Sequence, residues 1–250
     1  MRETKLAART GAILDRLEKL YPDADCELGY GNAFELLIAT ILSAQCTDKR
    51  VNAVTPQLFA RYPTAADLAK AALPEVEEII RSTGFFRAKS KSITACAQAL
   101  LAHHGGDVPR DFEAAVKLMG VGRKTASVVL GHAYGIAKGI AVDTHVLRLT
   151  SRLGLSKHDD PIGVEQDLMA LVPQKRWIKT TDLLIFHGRR VCDARKPRCG
   201  QCGVFDLCSW KSKQAYALGQ PKPKPKPRKS DGVWGLSTAT SDSLGPPAKK

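Results

Sequence analysis

Leu118-Met119-Gly120-Val121-Gly122-Arg123-Lys124-Thr125 lies near the middle of a chain of 250 residues. The residues before it, 112–117, have the spacing of a short amphipathic helix, and residues 126–130 form the apolar face of a second helix. Glycine adopts positive φ angles without steric cost and lets a partner come close to the backbone. The Gly-x-Gly turn therefore predicts two helices joined as a tight hairpin.

Lys124 stands two residues after the last glycine, at the predicted start of the second helix. The first turn of a helix carries free N–H groups and a partial positive charge, which suits a phosphate group. The same partial charge slightly disfavours a cation there, so the neutral, nucleophilic form of the amine is favoured. Lys124 is therefore a candidate nucleophile beside a turn suited to phosphate.

The formal net charge of +13 is unevenly distributed along the chain. Residues 211–250 contain nine Lys or Arg and two Asp, a net charge of +7, which leaves +6 for the rest. Residues 221–229 alternate proline with cations, a pattern typical of extended polyproline II. We expect residues 216–250 to be a disordered basic tail. The charge points to a polyanion, first of all nucleic acid, although basic tails also serve solubility.

Apolar residues recur at helical spacing through most of residues 3–187, and no long segment alternates apolar and polar residues as a strand does. Cap residues are expected at Asn32, Asp48 and Asp143, and residues 64–67 have the capping-box pattern. Among the predicted helices are 87–103, 143–153, 163–171 and 176–187. The sequence therefore predicts an all-α fold with short loops.

Seven cysteines are present, and this odd, uneven set argues against the disulfide framework of a secreted protein. Cys26, Cys46 and Cys96 are scattered, and we interpret them as small buried or incidental residues. The N-terminus lacks the apolar core of a signal peptide, and no run of about 18 apolar residues could span a membrane. We expect a protein of a reducing cytoplasm with no membrane partner.

The other four cysteines, Cys192, Cys199, Cys202 and Cys208, crowd into one loop with six, two and five residues between them. Hydrophobic packing could not stabilise such a loop, so a bound metal is the natural way to order it. Zinc sites usually show two close pairs separated by a longer spacer, whereas one close pair flanked by single cysteines suits an iron–sulfur cluster. The spacing favours the cluster and leaves zinc open.

Three segments occur together in order: 120–126 with the Gly-x-Gly turn, 140–146 with Asp143, and the cysteine loop. Over roughly residues 5–215 the chain resembles endonuclease III of the helix-hairpin-helix (HhH-GPD) superfamily of DNA glycosylases. The resemblance implies two helical domains that flank a DNA-binding cleft. Residues 26–137 would form a six-helix barrel with the hairpin. Residues 1–25 and 138–215 would form a domain that carries a [4Fe-4S] cluster.

The resemblance also implies the removal of oxidised pyrimidines from double-stranded DNA, followed by strand cleavage at the abasic site. Lys124 matches the family's nucleophile, which attacks C1′ of the damaged nucleoside and forms an imine that promotes β-elimination. Asp143 matches the family's essential aspartate, which stabilises the cationic sugar and helps to deprotonate the amine. Taken singly, Lys124 could be a solvated helix lysine and Asp143 a helix cap.

Other residues match positions that the family uses to hold DNA. The base must leave the duplex before C1′ can be reached, and Gln45 and Phe85 match the side chains that fill the gap. Asp48 and His145 match the family's pocket, although capping and buried hydrogen bonding explain them almost as well. Contacts to the phosphate backbone are expected from two groups: Gly120, Val121, Gly122 and Arg123 of the hairpin, and Arg195, Lys196 and Arg198 of the cysteine loop.

Two residues depart from the family's usual pattern. Met119 stands where the family usually has proline, but the glycines of the turn are intact, so phosphate binding is expected to survive. Phe85 stands where a smaller aliphatic residue is usual, which leaves the lesion and opposite-base preferences open.

Other functions fit parts of the sequence. An adenine-excising or mismatch-specific relative would share the cluster, but the adenine-excising enzymes lack a lysine at the nucleophile position and carry a large C-terminal domain. A non-catalytic hairpin protein would need neither Lys124 nor Asp143, and nothing suggests a redox partner for electron transfer. We expect a bifunctional glycosylase and abasic-site lyase that acts on damaged or abasic DNA as a monomer, in the bacterial cytoplasm at the nucleoid.

Overall fold

The computed structural model describes residues 2–219, with side chains from residue 5 onward. Every regular element within this range is helical, as the sequence predicts. The α-helices in the described range are α1 (Arg2–Leu20), α2 (Ala33–Leu42), α3 (Asp48–Arg61), α4 (Ala65–Ala69), α5 (Leu73–Ile80), α6 (Phe86–His104), α7 (Phe112–Ala115), α8 (Arg123–Tyr134), α9 (Thr144–Leu153), α10 (Pro161–Leu171), α11 (Trp177–Arg190) and α12 (Lys213–Ala217). None of them combines the length and the apolar character needed to cross a bilayer.

One apolar core is built from residues between Leu28 and Leu130. Helix α2 lies at its centre, because seven of its ten residues are buried. It packs against α8, while α6 packs against α4 and α5. Each buried side chain of the size of Leu or Ile stabilises the fold by about 1.5–3 kcal/mol. The core therefore fixes the start of α8, and with it Lys124, against a rigid support.

A second core joins two parts of the chain that are distant in sequence. Helix α1 contributes Ile13, Leu14 and Leu17, the segment after it contributes Tyr21 and Ala24, and the other residues come from between Ile140 and Val204. Helix α11 packs against both α1 and α9, which draws the N-terminal helix onto the C-terminal part of the chain. The residues of the first core fall within segment 26–137, and those of the second core fall within segments 1–25 and 138–215.

Two of the three predicted capping residues are confirmed at the starts of their helices, and the third prediction is wrong. Asn32 and Asp143 cap α2 and α9 as predicted, because their side-chain oxygens accept backbone N–H bonds in the first turn. The prediction that Asp48 caps α3 is wrong. Thr47 is the cap, since its side chain accepts from the Arg50 N–H, and Asp48 is the first residue of the helix.

The ends of the C-terminal helices differ from the predicted ones. Helix α10 begins two residues earlier than predicted, because Asp160 caps it and Pro161 opens it. Helix α11 continues to Arg190. The ordered chain also passes residue 216, the expected start of the tail: Tyr216 lies in α12 and stacks on Trp210 with ring centroids 5.0 Å apart. The rest of the predicted tail, residues 220–250, lies outside the described residues.

The two glycines of the hairpin have different conformations. Gly120 has a φ of +80°, and a Cβ atom there would lie 3.2 Å from side-chain carbons of Ile41 and Ser92. Gly122 is extended and forms the N-cap of α8 without a side chain to accept a hydrogen bond. The turn therefore needs glycine at position 120, because of its positive φ angle and because a Cβ atom would crowd Ile41 and Ser92. Gly122 leaves the first N–H groups of α8 without a side-chain cap.

Candidate functional site

A cavity lies between the two cores, at the start of α8. Helix α8 lines one wall with Lys124, Val128 and His132, which are spaced by four residues and so share one helix face. Helix α11 lines the opposite wall with a stripe that includes Asp182 and Arg189. The end of α2, the starts of α3 and α9, and residues 25–28 close the remaining sides. The cavity is thus lined by three segments of the chain, residues 25–48, 124–143 and 181–189.

The two residues predicted to be catalytic both line this cavity. Lys124 is exposed in the first turn of α8. Asp143 is half-buried at the start of α9, where its Oδ1 accepts a hydrogen bond from the Val146 N–H at 2.8 Å. The cap fixes the orientation of the Asp143 carboxylate and uses one of its oxygens.

Asp48 joins them in the cavity, held by an ion pair that the sequence did not predict. Arg189 on α11 donates to Asp48 Oδ2 at 2.7 Å and also pairs with Glu27. Burial raises the pKa of Asp48; the charge of Lys124 opposes this shift and that of Asp143 adds to it. The carboxylates of Asp48 and Asp143 therefore interact electrostatically with each other and with Lys124 at the start of α8.

His145 is close to this group without lining the cavity. Its Nδ1 lies 3.0 Å from a guanidinium nitrogen of Arg148, which donates, and its ring packs on Gly188. Burial lowers the pKa of His145, and the cations Arg148 and Lys124 lower it further, against the opposing charge of Asp143. The lowered pKa favours the neutral imidazole. The side chain of His145 lies next to the cavity but does not line it.

The far end of the cavity contains a buried pair. His132 Nε2 lies 3.2 Å from both carboxylate oxygens of Asp182, and both side chains are less than a tenth exposed. His132 was not singled out from the sequence, although its spacing from Lys124 in steps of four residues indicates that both lie on the same face of α8. No local signal links it to Asp182, which is 50 residues away on another helix.

The two residues expected to enter the DNA have the same unusual backbone. Gln45 and Phe85 are the non-glycine residues with positive φ within the described range, at +52° and +50°. Such a conformation costs of the order of 1–3 kcal/mol and persists where the surroundings enforce it. Phe85 is 68% exposed, so its ring is not part of the hydrophobic core.

A buried lysine that the sequence did not single out supports the turn before Phe85. Lys89 is 6% exposed, and its Nζ donates to the Thr83 carbonyl at 2.9 Å. Burial lowers the pKa of Lys89. Because Thr83 directly precedes Gly84 and Phe85, this bond ties the strained turn to α6.

The hairpin's arginine has partners inside the protein. The Arg123 guanidinium lies 5.1 Å from the centre of the Phe112 ring and 3.7 Å from Glu165, and its side chain is still 58% exposed. Val121 is buried in the core. The exposed backbone at Gly120 and Gly122 and the outer part of Arg123 are therefore the hairpin surface that a phosphate can reach.

The four clustered cysteines line a second, mostly apolar cavity, together with His187, Pro197 and Phe205. Their loop is tied to α9, because Arg152 donates to the carbonyl of Asp193 at 2.8 Å and to that of Ala194 at 3.0 Å. Arg152 also lies 3.3 Å from Cys192 Sγ, and His187 Nε2 lies 3.5 Å from Cys202 Sγ. None of these four cysteines, all within the described residues, forms a disulfide bond.

The spacing of the sulfur atoms separates the two metals that the sequence left open. Within residues 2–219, Asp25, His132 and Asp182 form the one group of three acidic, His or Cys side chains whose ligand atoms all lie within 4.8 Å of one another. No three of the clustered Sγ atoms are that close. A tetrahedral zinc, with Zn–S bonds of about 2.3 Å, would hold its sulfurs about 3.8 Å apart. The wider arrangement fits a cluster of several iron atoms.

The cations of this loop face outward. Arg195, Lys196 and Arg198 are exposed. Asp193 Oδ1 accepts the backbone N–H bonds of Arg195 and Lys196 at 2.8 and 2.7 Å, which lowers the pKa of Asp193. The turn that carries these cations is therefore fixed by an ionised carboxylate.

Two helical cores, a hairpin and a thiolate loop define an iron–sulfur protein of the helix-hairpin-helix class. Residues 38–174 match the HhH-GPD superfamily of base excision DNA repair proteins, and residues 192–208 match the iron–sulfur binding domain of endonuclease III. Endonuclease III of Synechocystis sp. is 54% identical over 80% of this chain and 91% of its own length. Endonuclease III of Escherichia coli is 41% identical over 80% of this chain and 95% of its own.

The same relationship holds for solved structures. A trapped endonuclease III–DNA covalent intermediate is 44% identical, with a TM-score of 0.79 over 83% of this chain and 98% of that one. A thermostable thymine-DNA glycosylase, at 22% identity and a TM-score of 0.71, shares the fold. The chain belongs to the endonuclease III family. It is a DNA glycosylase and abasic-site lyase of base excision repair, and its cysteine loop binds an iron–sulfur cluster.

Proposed function

We propose that the protein removes oxidised pyrimidines from double-stranded DNA through a Schiff base at Lys124 and then cleaves the strand 3′ to the abasic site. The observation that carries this proposal is that Lys124, Asp143 and Asp48 line one cavity between the two cores. DNA would lie across the cleft between two domains, 26–137 and 1–25 with 138–215. The hairpin would bind the phosphate backbone on one side and the cysteine loop on the other.

The first step needs a neutral amine. Lys124 gives up a proton to a carboxylate of the cavity, for which Asp143 is the candidate because its cap fixes its orientation. Lys124 Nζ forms a bond to C1′, the bond from C1′ to the base breaks, and the base leaves with the glycosidic electron pair and takes up a proton. The Asp143 carboxylate stabilises the positive charge that develops on the sugar.

The second step needs an imine. The nitrogen lone pair forms the C1′=N bond as the C1′–O4′ bond breaks, and O4′ keeps the electron pair and takes up a proton. The protonated imine between Lys124 and C1′ makes the C2′ protons acidic. A base removes one of them, the electron pair forms the C2′–C3′ double bond, and the C3′–O bond breaks with release of the phosphate. Water then hydrolyses the imine, which regenerates Lys124 and leaves an unsaturated aldehyde at the 3′ end of the upstream fragment and a 5′ phosphate on the downstream fragment.

An extruded nucleotide leaves a gap in the duplex that the protein must fill. Gln45 and Phe85 project from two strained turns, and the exposure of Phe85 supports such a role. Lys89 would act as a positioning residue for the Phe85 turn. Asp48 would contribute to the pocket wall, with Arg189 holding its carboxylate in place.

Cys192, Cys199, Cys202 and Cys208 would hold the cluster. When bound, the cluster supplies the iron–thiolate bonds that order residues 192–208. None of the steps at the sugar transfers an electron, so the loop's part in the reaction is to present Arg195, Lys196 and Arg198 to the phosphate backbone. The bacterial relatives support a protein that works in the bacterial cytoplasm, and we propose that it acts on the nucleoid as a monomer.

The test is excision from a panel of duplexes, each with one oxidised or mismatched base and the same flanking sequence. The proposal expects cleavage at oxidised pyrimidines and at preformed abasic sites. Preferential removal of adenine, or of mismatched thymine with no strand cleavage, would contradict it.

A further inference from the structure

The cavity continues past the nucleophile along α8. Lys124, Val128 and His132 follow one another by four residues, so His132 lies about 12 Å beyond Lys124 along the helix axis. A base attached to the sugar at Lys124 would extend over Val128, toward the buried pair of His132 and Asp182. This end of the cavity is therefore where the far edge of an extruded base would lie.

The contacts of His132 indicate which of its ring nitrogens carry a proton. Its Nδ1 lies 3.0 Å from the Val128 carbonyl, which can only accept, so Nδ1 carries a proton. Its Nε2 faces both oxygens of Asp182 and lies 3.5 Å from Asp25 Oδ1. Burial alone would lower the pKa of His132, but Asp182, the Val128 carbonyl and Asp25 together raise it above its ordinary value. Both ring nitrogens of His132 thus face oxygen acceptors, which is the hydrogen-bonding geometry of a doubly protonated imidazolium that donates to the Asp182 carboxylate.

A buried ion pair is a weak source of stability, because removing two charges from water costs most of what their attraction returns. Apolar residues of similar size would often serve the fold as well. The carboxylate also has spare capacity, since it offers about four acceptor positions and His132 supplies a single N–H. Asp182 lines the cavity, so this capacity is available to a ligand.

The neighbouring groups at this end are also hydrogen-bond acceptors. Asp25 contributes a second carboxylate, and Thr181 contributes a hydroxyl beside Asp182. The Asp25 carboxylate is 76% exposed and open to solvent. A ligand edge made only of carbonyl oxygens would meet negative charge here and would leave the acceptor positions of the buried Asp182 carboxylate unpaired, which is costly. An edge with an N–H donor would satisfy them.

We propose that Asp182, held in place by His132, is a specificity-determining residue that accepts an N–H from the base edge farthest from the sugar. The chemical class it selects is a base with an imide or ureide N–H, such as the N3–H of a pyrimidine saturated at C5 and C6. This inference rests on the proposed function, because it assumes that the base enters this cavity when Lys124 attacks the sugar.

The test compares two lesions that differ in one donor: 5,6-dihydrothymine and its N3-methyl derivative, in the same duplex. Under single-turnover conditions, wild-type protein should excise the N3-methyl base about 10- to 100-fold more slowly, as expected for one lost hydrogen bond to a charged group. Asp182→Asn has the same shape but a neutral amide, and its ratio should fall toward one. Asp167→Asn, on α10 and bonded to Ser156, is the matched control and should keep the wild-type ratio.

Equal rates for the two lesions in wild-type protein would overturn the inference, and this result does not depend on whether a variant folds. An unchanged ratio in folded Asp182→Asn would overturn it as well, because steric exclusion of the methyl group would then be the cause. Cleavage of preformed abasic DNA, which has no base, separates this inference from the proposed function. Wild-type protein that fails there contradicts the proposed function, whereas abasic cleavage with equal excision rates contradicts this inference alone.

Discussion

Asp143 Oδ1 accepts a hydrogen bond from the Val146 N–H at 2.8 Å, so the carboxylate proposed for catalysis also caps α9. The two roles can be separated, because asparagine caps a helix as well as aspartate does but carries no charge. Asp143→Asn should keep the wild-type melting temperature and lose about 100-fold or more in excision rate.

Asp143→Ala should lose the cap as well as the charge. The expected cost is about 1 kcal/mol, or about 2–4 °C in melting temperature for a protein of this size. Melting curves and single-turnover excision of both variants check this. Full activity of Asp143→Asn would restrict Asp143 to the cap.

The pair of His132 and Asp182 predicts a pH dependence of stability. The pKa of His132 is raised in the folded protein, so the pair's contribution to the free energy of unfolding is complete below the unfolded pKa of about 6.5. It is lost as the pH rises through the higher folded pKa. Urea unfolding of wild type and His132→Gln at several pH values should show a difference that shrinks above neutral pH.

His187 provides the contrast. Burial lowers the pKa of His187 to about 4, so its effect has the opposite sign and destabilises the fold as the pH falls below about 6.5. This effect is common to wild type and His132→Gln and cancels in their difference. A difference that grows with rising pH would mean that His132 is not charged in the fold.

Phe85 should matter for DNA binding and little for folding. Its side chain is 68% exposed, so Phe85→Ala removes few internal contacts. Affinity for a duplex with an abasic-site analogue should fall about tenfold, the effect typical of a lost aromatic stack on a base, while the melting temperature stays near that of wild type. Leu101→Ala, a partly exposed residue on α6, should change neither. Unchanged affinity of Phe85→Ala would show that the ring does not enter the duplex.

The cysteine loop predicts a visible spectrum. Purified protein should be coloured by iron–thiolate absorption, and Cys199→Ser should lose colour and part of its stability, because the cluster orders the loop. Cys46→Ser, outside the loop, should keep the spectrum. A colourless wild-type protein with stoichiometric zinc would contradict the cluster.

The basic segment outside the described residues predicts a salt effect. Residues 220–250 contain seven Lys or Arg and two Asp, and their deletion should weaken DNA binding mainly at low salt. The slope of log K against log salt concentration should become shallower, with no change in melting temperature. A large loss of thermal stability would mean that the segment supports the fold.

The features that could be predicted from the sequence are local ones. Capping residues such as Asn32 mark helix starts, and the hairpin and the cysteine loop are short segments whose residue types are dictated by backbone angle or ligand chemistry. These signals identified the residues that line the cavity at the start of α8. They also failed locally at Asp48, because the adjacent Thr47 can cap equally well and Arg189 pairs with the Asp48 carboxylate.

The features that could not be predicted depend on packing between distant elements. His132 meets Asp182 only because α8 packs against α11, and no pattern in either helix indicates the partner. Phe85 shows a different limit. An aromatic residue beside Phe86 favours burial, but the positive φ at 85 turns this ring into solvent while Phe86 stays half-buried.

The central claim, that Lys124 bonds to the sugar, is tested most directly by borohydride reduction of the protein on abasic duplex DNA. Reduction converts an imine into a stable amine, so wild-type protein should become covalently attached to the DNA. Lys175→Ala, an exposed lysine before α11, should be trapped equally well. Lys124→Ala should give no adduct, and its mass spectrum should show no modified peptide. Undiminished trapping of folded Lys124→Ala would contradict the account.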